Sequence, residues 1–406
     1  MKRNSTAGRI GVLWYLPVMK QILVLFSIGM WITPYAREIE QNSLNGRTTG
    51  RLPYLEYGLG DDRLGGARMG YLDTAIAVRI IDSAGSDFKV KLSANHTAWL
   101  PKRNFRVDTS LNFRDFYLSS SWSVFGDEKY DYVKVSLDER LPYRSIQQIN
   151  PSRIIVDIFG VTSNTNWITQ LKTVKEISNV YYEQLEDDVF RIIIDLRHSQ
   201  HWGHSVYYEK NRLVIRIKQQ PARLKLRNLK IAIDAGHGGD NSGATGISGA
   251  IKEKDYTLLM AQQLEKELRK RKATVFMTRT TDTSLGMIER TEMLRAEEPD
   301  LLISIHLNSS SRDSVKGTST YYRHIGFRPL SRSILERMLD LGLKEYGNIG
   351  SFNFSLSGPT EYPNCLVEVA FLSNKDDERL IMNPKFHRKV ADRIADGIKD
   401  WLKQLR

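Results

Sequence analysis

The sequence predicts a multidomain chain. All-β units occupy its N-terminal half, and a three-layer α/β domain on a mostly parallel sheet closes its C-terminal end. Three observations carry this expectation. The chain has 406 residues, more than one small hydrophobic core organises. Up to Lys218 the apolar residues fall in short β-branched and aromatic runs broken by Gly, Ser and Asn. From Leu229 onward, apolar strands alternate with stretches whose apolar residues recur every four positions.

Taken in order, residues 1–36 read as a signal peptide or a membrane anchor. Lys2, Arg3 and Arg9 precede a long apolar run in which Lys20 is the only charge from Ile10 to Ala36. The stretch Arg37–Arg51 is polar and reads as a loose connection. Residues 53–110, with "YLDTAIAVRIID", "FKVKLSA" and "TAWLPKRNFRV", have the strand spacing of a small β-barrel. Residues 130–218 hold a second β unit, in which "YVKVSL", "RIIVDIF", "VFRIIIDL" and "RLVIRI" alternate apolar and polar positions. Residues 219–228, with Pro221 and several basic residues, read as a linker.

The last unit, 229–404, alternates strands such as "KIAIDA", "ATVFMTR", "DLLISIH" and "NCLVEVAFLS" with helices. One helix carries the stripe Tyr256, Met260, Leu264 and Leu268, and the final one carries Phe386, Val390, Ile394 and Ile398. A helix is expected over "RPLSRSILERMLDLGLKEYG" as well.

Charge narrows the partners. The net charge is +12, which suits nucleic acid, an anionic membrane or an acidic polymer such as a cell wall. The chain has no nucleic-acid motif and no run of five like charges, so nucleic acid is not an expected partner. Its single cysteine, Cys365, excludes an internal disulfide and sits in the apolar run "CLVEVAF", where a buried, inert thiol is expected.

The chemistry gathers at strand ends. "IAIDAGHGGDNSG" runs a strand into a glycine-rich loop that presents His237. A dinucleotide loop would need glycine at position 241, which is Asn241, and no Gly-Lys-Ser/Thr follows, so phosphate binding is excluded. His306 ends the strand "LLISIH", and Glu253 stands at the mouth of the first long helix. Open α/β sheets bind ligands beyond the carboxyl ends of their strands. There, two imidazoles and a carboxylate would hold zinc and leave a fourth position open to water. Glu368 lies between Val367 and Val369 in the strand "CLVEVAF". An unpaired carboxylate buried there is costly, so it reads either as a salt-bridge partner or as a general base for a zinc-activated water.

In order, "IAIDAGHGGDNSG…EKDYTLLMAQQLEKEL…VFMTRTTDT…ERTEML…LLISIHLN…LVEVAFLSN" resembles the zinc-dependent N-acetylmuramoyl-L-alanine amidases. The resemblance implies hydrolysis of the amide between N-acetylmuramic acid and L-alanine in peptidoglycan, for cell-wall remodelling or daughter-cell separation. It implies that His237, Glu253 and His306 hold one zinc ion and that Glu368 is the catalytic carboxylate. Residues 53–110 resemble the small SH3-like modules of wall enzymes. "VKVSLDERLPYRS…NPSRIIVDIFG" resembles the AMIN domain, a β-sandwich, which implies envelope or septal proteins as partners and a periplasmic or envelope location. Two departures stand out. Leu294 and Arg295 replace a usual Ala-Asn pair, and "GNIGSFNFSLSGPTEYP" lacks the usual Asn-Arg-Gly pattern. Only "RHIGF" follows the strand "GTSTYY", so no inserted helix is expected to plug the site.

Other residues take supporting roles in this reading. Asp234 and Asp255 are candidates for steadying the ligands or for capping and turn roles, and Asn308 is a candidate substrate contact. Arg279, Asp282 and Arg290 read as structural ion pairs. His198, His201 and His204, three apart, read as a solvated loop or hairpin rather than a metal site. Two rival functions remain open on sequence: a zinc carboxypeptidase-like exopeptidase, and a non-catalytic wall-binding activator.

Overall fold

The computed structural model describes residues 44–60 and 64–405. The leader expected over 1–36 lies outside the described residues. Among the described residues, no helix is long and apolar enough to cross a membrane.

The described residues open with seven strands: β1 (Leu44–Thr48), β2 (Tyr54–Glu56), β3 (Arg68–Tyr71), β4 (Ala77–Ala84), β5 (Asp87–Lys91), β6 (Thr97–Pro101) and β7 (Phe105–Val107). They form one sheet in the order β3-β2-β6-β5-β4-β1-β7. β1 falls in the stretch expected to be loose. Its polar sequence "LNGRT" is held by pairing to β4 and β7 on both sides and by Arg47, which forks onto Asp108 and Glu139 at 2.9 and 3.1 Å. Pairing and charge thus decide its conformation, not hydrophobic pattern.

Ten strands follow: β8 (Tyr117–Gly126), β9 (Tyr130–Leu137), β10 (Tyr143–Ile149), β11 (Ser152–Phe159), β12 (Val161–Thr162), β13 (Ile168–Gln170), β14 (Ile177–Glu186), β15 (Val189–Leu196), β16 (His204–Glu209) and β17 (Arg212–Lys218). One sheet runs β10-β11-β15-β14. The other runs β12-β8-β9-β17-β16, with β13 also on β8. β9 alternates half-buried and buried residues along its length, as a strand with one face on a core must. The inward faces of both sheets share one apolar cluster with the N-terminal sheet, from Leu55 and Val78 to Val156 and Ile215.

The last unit contains β18 (Lys230–Ala235), α1 (Glu253–Lys270), β19 (Thr274–Met277), α2 (Met287–Glu297), β20 (Leu301–Asn308), β21 (Thr318–Tyr321), α3 (Arg328–Leu339), β22 (Glu345–Ile349), β23 (Asn364–Phe371), α4 (Lys375–Ile381) and α5 (Pro384–Gln404). Its sheet order is β19-β18-β20-β23-β21-β22. β19, β18, β20 and β23 are mutually parallel, whereas β21 runs against β23 and carries β22 with it. Alternate residues feed two cores. Ile231, Ile233, Ile303 and Ile305 face the large one under α1, α3 and α5, while Ala232 and Leu302 face a small one under α2 and Leu356.

The helices follow their stripes. Met260, Leu264 and Leu268 of α1 are buried, as are Phe386, Val390, Ile394 and Ile398 of α5. Acids in the first turn of α1 and bases in its last complement the helix dipole. Asn383 caps α5, with Pro384 in its first turn. α3 stops at Leu339, earlier than its periodicity predicts, because Glu345–Ile349 leaves to form the edge strand β22. α4, seven residues long and capped by Asn374, is too short to show a stripe.

Residues 219–228 differ from a free linker. Gln219 bonds back to Lys129 and Asp131, and Leu226 is buried in the large core. The expected solvated loop around His198 also needs correction. His198 is half-exposed and pairs with Glu176 at 2.8 Å, but His201 and His204 are buried. Gln200 explains this: it donates to Gly326 O at 2.8 Å and accepts from Trp401 Nε1 at 3.0 Å, while Trp202 packs on Trp401. The loop is the joint between sandwich and α/β domain.

That joint is acid-sensitive. Burial drives the imidazoles of His201 and His324 down to about 4, and that of His204 to about 3, from an ordinary 6.5. The folded values lie below the unfolded one, so below pH 6.5 the unfolded chain binds protons first. Stability is complete above that point and falls as pH drops towards 4, by up to about 1.4 kcal/mol per pH unit per imidazole. Urea midpoints are expected to fall steadily between about pH 7 and pH 4.5, and His204→Leu to flatten the decline. A pH-independent midpoint in that window would contradict this assignment.

Candidate metal and catalytic site

β18 ends at Ala235, and the loop that follows must turn His237 back across the sheet rim. His237 itself takes a left-handed φ of 62°, a conformation uncommon outside glycine. Two glycines matter for packing. A Cβ on Gly236 would stand 2.5 Å from the His306 ring, and one on Gly243 would stand 2.5 Å from Glu253 Oε2. The glycine-rich loop therefore lets backbone approach the three polar side chains closely.

Those side chains converge. Ligand atoms of His237, Glu253 and His306 all lie within 4.8 Å of one another. His237 Nε2 is 3.1 Å from Glu253 Oε2, and His306 Nδ1 is 3.0 Å from Glu253 Oε1. The two imidazole centroids are 5.0 Å apart. Backbone amides aim the carboxylate, with Ala244 N donating to Oε2 at 2.9 Å and Leu307 N to Oε1 at 3.0 Å. Burial alone would raise the Glu253 pKa, but its bonds to both imidazoles hold it well below the usual carboxylate range. In return Glu253 raises His306 despite burial. Two nitrogens and an oriented carboxylate form a donor set that fits a zinc ion.

Glu368 is half-buried on β23, in register with His306 on the neighbouring β20. Asn308, partly exposed at the end of β20, donates to Tyr321 Oη at 3.3 Å. Asp234 is buried and makes no hydrogen bond to the three converging side chains. It accepts from Arg290 at 2.5 Å, Thr278 at 2.7 Å and Ser304 at 2.8 Å. Burial pushes its carboxyl up, yet Arg290 and the hydroxyls bring it below its ordinary value. Arg290, 0% exposed, also donates to His237 O at 2.5 Å, so the pair acts on the histidine's backbone.

Of three further charged residues near the site, one departs from expectation. Asp255 does not steady the cluster, because it is exposed in the first turn of α1, where it serves the helix dipole. Arg279 is not an ion-pair partner. It is buried and donates to the carbonyls of Ala235, Gly236, Thr281 and Lys254. Asp282 does form an ion pair, with Lys254 at 2.7 Å.

Asn241 is the residue that sequence reasoning missed. Its Oδ1 lies 2.9 Å from His237 Nδ1, so Nδ1–H donates to it and Nε2 is left facing the cluster. The available signal was an amide four residues after the histidine in a tight turn. At the departures, Leu294 fills the small core and Arg295 pairs with Glu361 at 2.7 Å. Between β21 and α3 lies one short 3₁₀ turn, Ile325–Phe327.

Residues 231–400 match the family described as "N-acetylmuramoyl-L-alanine amidase", and residues 124–220 match the "AMIN domain". The chain is 32% identical over 176 residues to "Probable cell wall amidase LytH" of Staphylococcus aureus, covering 43% of this chain and 58% of that protein. The chain thus spans little more than half the length of the curated relatives it matches. Among solved structures it is similar to the catalytic domain of the amidase CwlV from Bacillus (Paenibacillus) polymyxa var. colistinus. Identity there is 34%, coverage 44% of this chain and 99% of that one, and TM-score 0.42. An N-acetylmuramoyl-L-alanine amidase from Clostridium difficile 630 is 28% identical, covering 43% of this chain and 97% of that one, with TM-score 0.41. Through residues 231–400 the chain belongs to the N-acetylmuramoyl-L-alanine amidase family, and it carries an AMIN domain over residues 124–220.

Proposed function

We propose that this protein hydrolyses the amide between the lactyl group of N-acetylmuramic acid and L-alanine in peptidoglycan, with zinc held by His237, Glu253 and His306. The observation that carries this reading is the convergence of three donors beside Glu368, within a domain of the amidase family. Zinc in that position supplies Lewis-acid polarisation of the scissile carbonyl and of the attacking water. Glu368 takes the proton of that water and delivers it to the leaving nitrogen. Asn241 fixes the His237 tautomer, and the amides of Ala244 and Leu307 fix the Glu253 carboxylate, so the donors need no reorganisation. Asn308, partly exposed at the end of β20, is assigned a substrate contact in this reading.

The AMIN domain, the net charge of +12 and the basic-apolar N-terminus support export to the periplasm or envelope. In this reading the sandwich and the N-terminal sheet, read as an SH3-like barrel, position the enzyme on peptidoglycan or on envelope and septal proteins.

Glu368→Gln is expected to keep its zinc and lose roughly 10²–10⁴-fold in kcat. Digestion of purified sacculi, with mass identification of stem peptides bearing a free L-alanine amine, measures this; a variant of normal activity rules out the assigned proton carrier. Gly236→Ala places a methyl group against the His306 ring and is expected to lower both zinc content after dialysis and activity. Retention of both would show that the close approach is dispensable.

A further inference from the structure

The segment "GSFNFSLSG", Gly350–Gly358, lies in one of the two departures from the family pattern, and its side chains split between two neighbourhoods. Phe352 and Phe354 are stacked, with centroids 6.3 Å apart and planes at 21°. Phe354 meets the His306 ring edge-on at 5.3 Å, and Phe352 lies 4.6 Å from Tyr321. Both phenylalanines are partly exposed. Three aromatic rings thus form a row that ends at an imidazole of the metal cluster.

The residue between them faces the other way, as alternation along extended chain requires. Asn353 reaches the N-terminal region and uses its whole amide between it and Arg323. Its Oδ1 accepts from Arg68 N at 3.1 Å and Arg323 Nη1 at 2.5 Å, while its Nδ2 donates to Gly66 O at 2.7 Å and Leu64 O at 3.2 Å. Arg323 also donates to Arg68 O, and Tyr71 Oη reaches Ser355 O at 3.5 Å. The aromatic row is therefore held from behind by a different part of the chain.

We propose that Phe352 and Phe354 form a stacking platform for a pyranose ring of the glycan, and that Asn353 is the positioning residue that ties this platform to the N-terminal sheet. The proposal rests on the amidase reading and deepens it. The occupant follows from the chemistry of the bond: the scissile carbonyl belongs to a lactyl group carried directly on a sugar, so a ring must lie beside the metal cluster when the amide is in place. Sugars present C–H faces, and aromatic rings present the negative π-face that complements them. Partly exposed rings beside a handful of polar groups are also the usual lining of a small-molecule site.

The test compares two soluble substrates cleaved by the full chain: a disaccharide-peptide muropeptide, and the same stem peptide on D-lactate without sugar. For Phe352→Leu, which keeps apolar bulk, and for Asn353→Ala, KM for the muropeptide is expected to rise roughly tenfold. Within each variant kcat stays within about twofold, zinc content is unchanged, and the sugar-free substrate is cleaved as by the wild type. Unchanged KM on the muropeptide, or equal losses on both substrates, would overturn the platform while leaving the amidase reading intact. A wild-type protein that cleaves neither substrate would remove the amidase reading and the platform with it.

Discussion

The site depends first on one ion pair that water does not reach. Asp234 and Arg290 meet at 2.5 Å, each with about 1% of its side chain exposed. Two charges in such a place are tolerated only when their remaining bonds are filled, and here they are: Asp234 by two hydroxyls, Arg290 by the carbonyls of Leu285, Ala235 and His237. Removing either partner of a buried pair costs about 3–5 kcal/mol, because the other charge is left uncompensated. The pair therefore does more than join α2 to β18. It pins the carbonyl of the one residue whose backbone is left-handed and whose side chain enters the cluster. The strain of that turn persists because its surroundings over-determine it.

Around this anchor the N-terminal sheet makes contacts that a separate module would lack. Arg51 forks onto Glu289 and Glu292, on either side of Arg290 in α2, at 2.8 and 3.0 Å. Those pairs are exposed and contribute little each, but they bring the sheet to the helix that holds the His237 loop. From the sandwich, Lys218 meets Asp300 at 2.7 Å and Arg216 meets Glu298 at 3.0 Å, tying β17 to the turn before β20. The elements carrying His237 and His306 are thus both braced from outside the α/β domain.

Much of this was legible in the residues. A parallel sheet gathers the carboxyl ends of its strands on one rim, so "DAGHGG" and "LLISIH" brought His237 and His306 together on pattern alone. Glu253 followed from its place at a helix mouth, and Glu368 from the cost of a carboxylate among valines. What escaped depends on contacts distant in sequence. His201 and His204 sit in a polar stretch, and partners distant in sequence enclose them: His201 Nε2 meets Gln148 O at 2.8 Å, and the His204 backbone bonds to Thr360. β1, paired on both sides, and the edge strand β22 lack apolar alternation in sequence because strand pairing rather than core burial holds them. Arg279 was misjudged because charge does not say whether a partner is a carboxylate or a carbonyl, and Asp255, open between two roles, took the one at the helix terminus.

The shared apolar cluster of the first seventeen strands has a consequence for how the chain is assembled. Its side chains come from the N-terminal sheet and from both layers of the sandwich without a break. Two regions that share buried apolar side chains are expected to open together rather than separately. In a chain built this way, a sandwich moved alone would leave behind the part of that cluster which Leu55, Ile76 and Val78 supply.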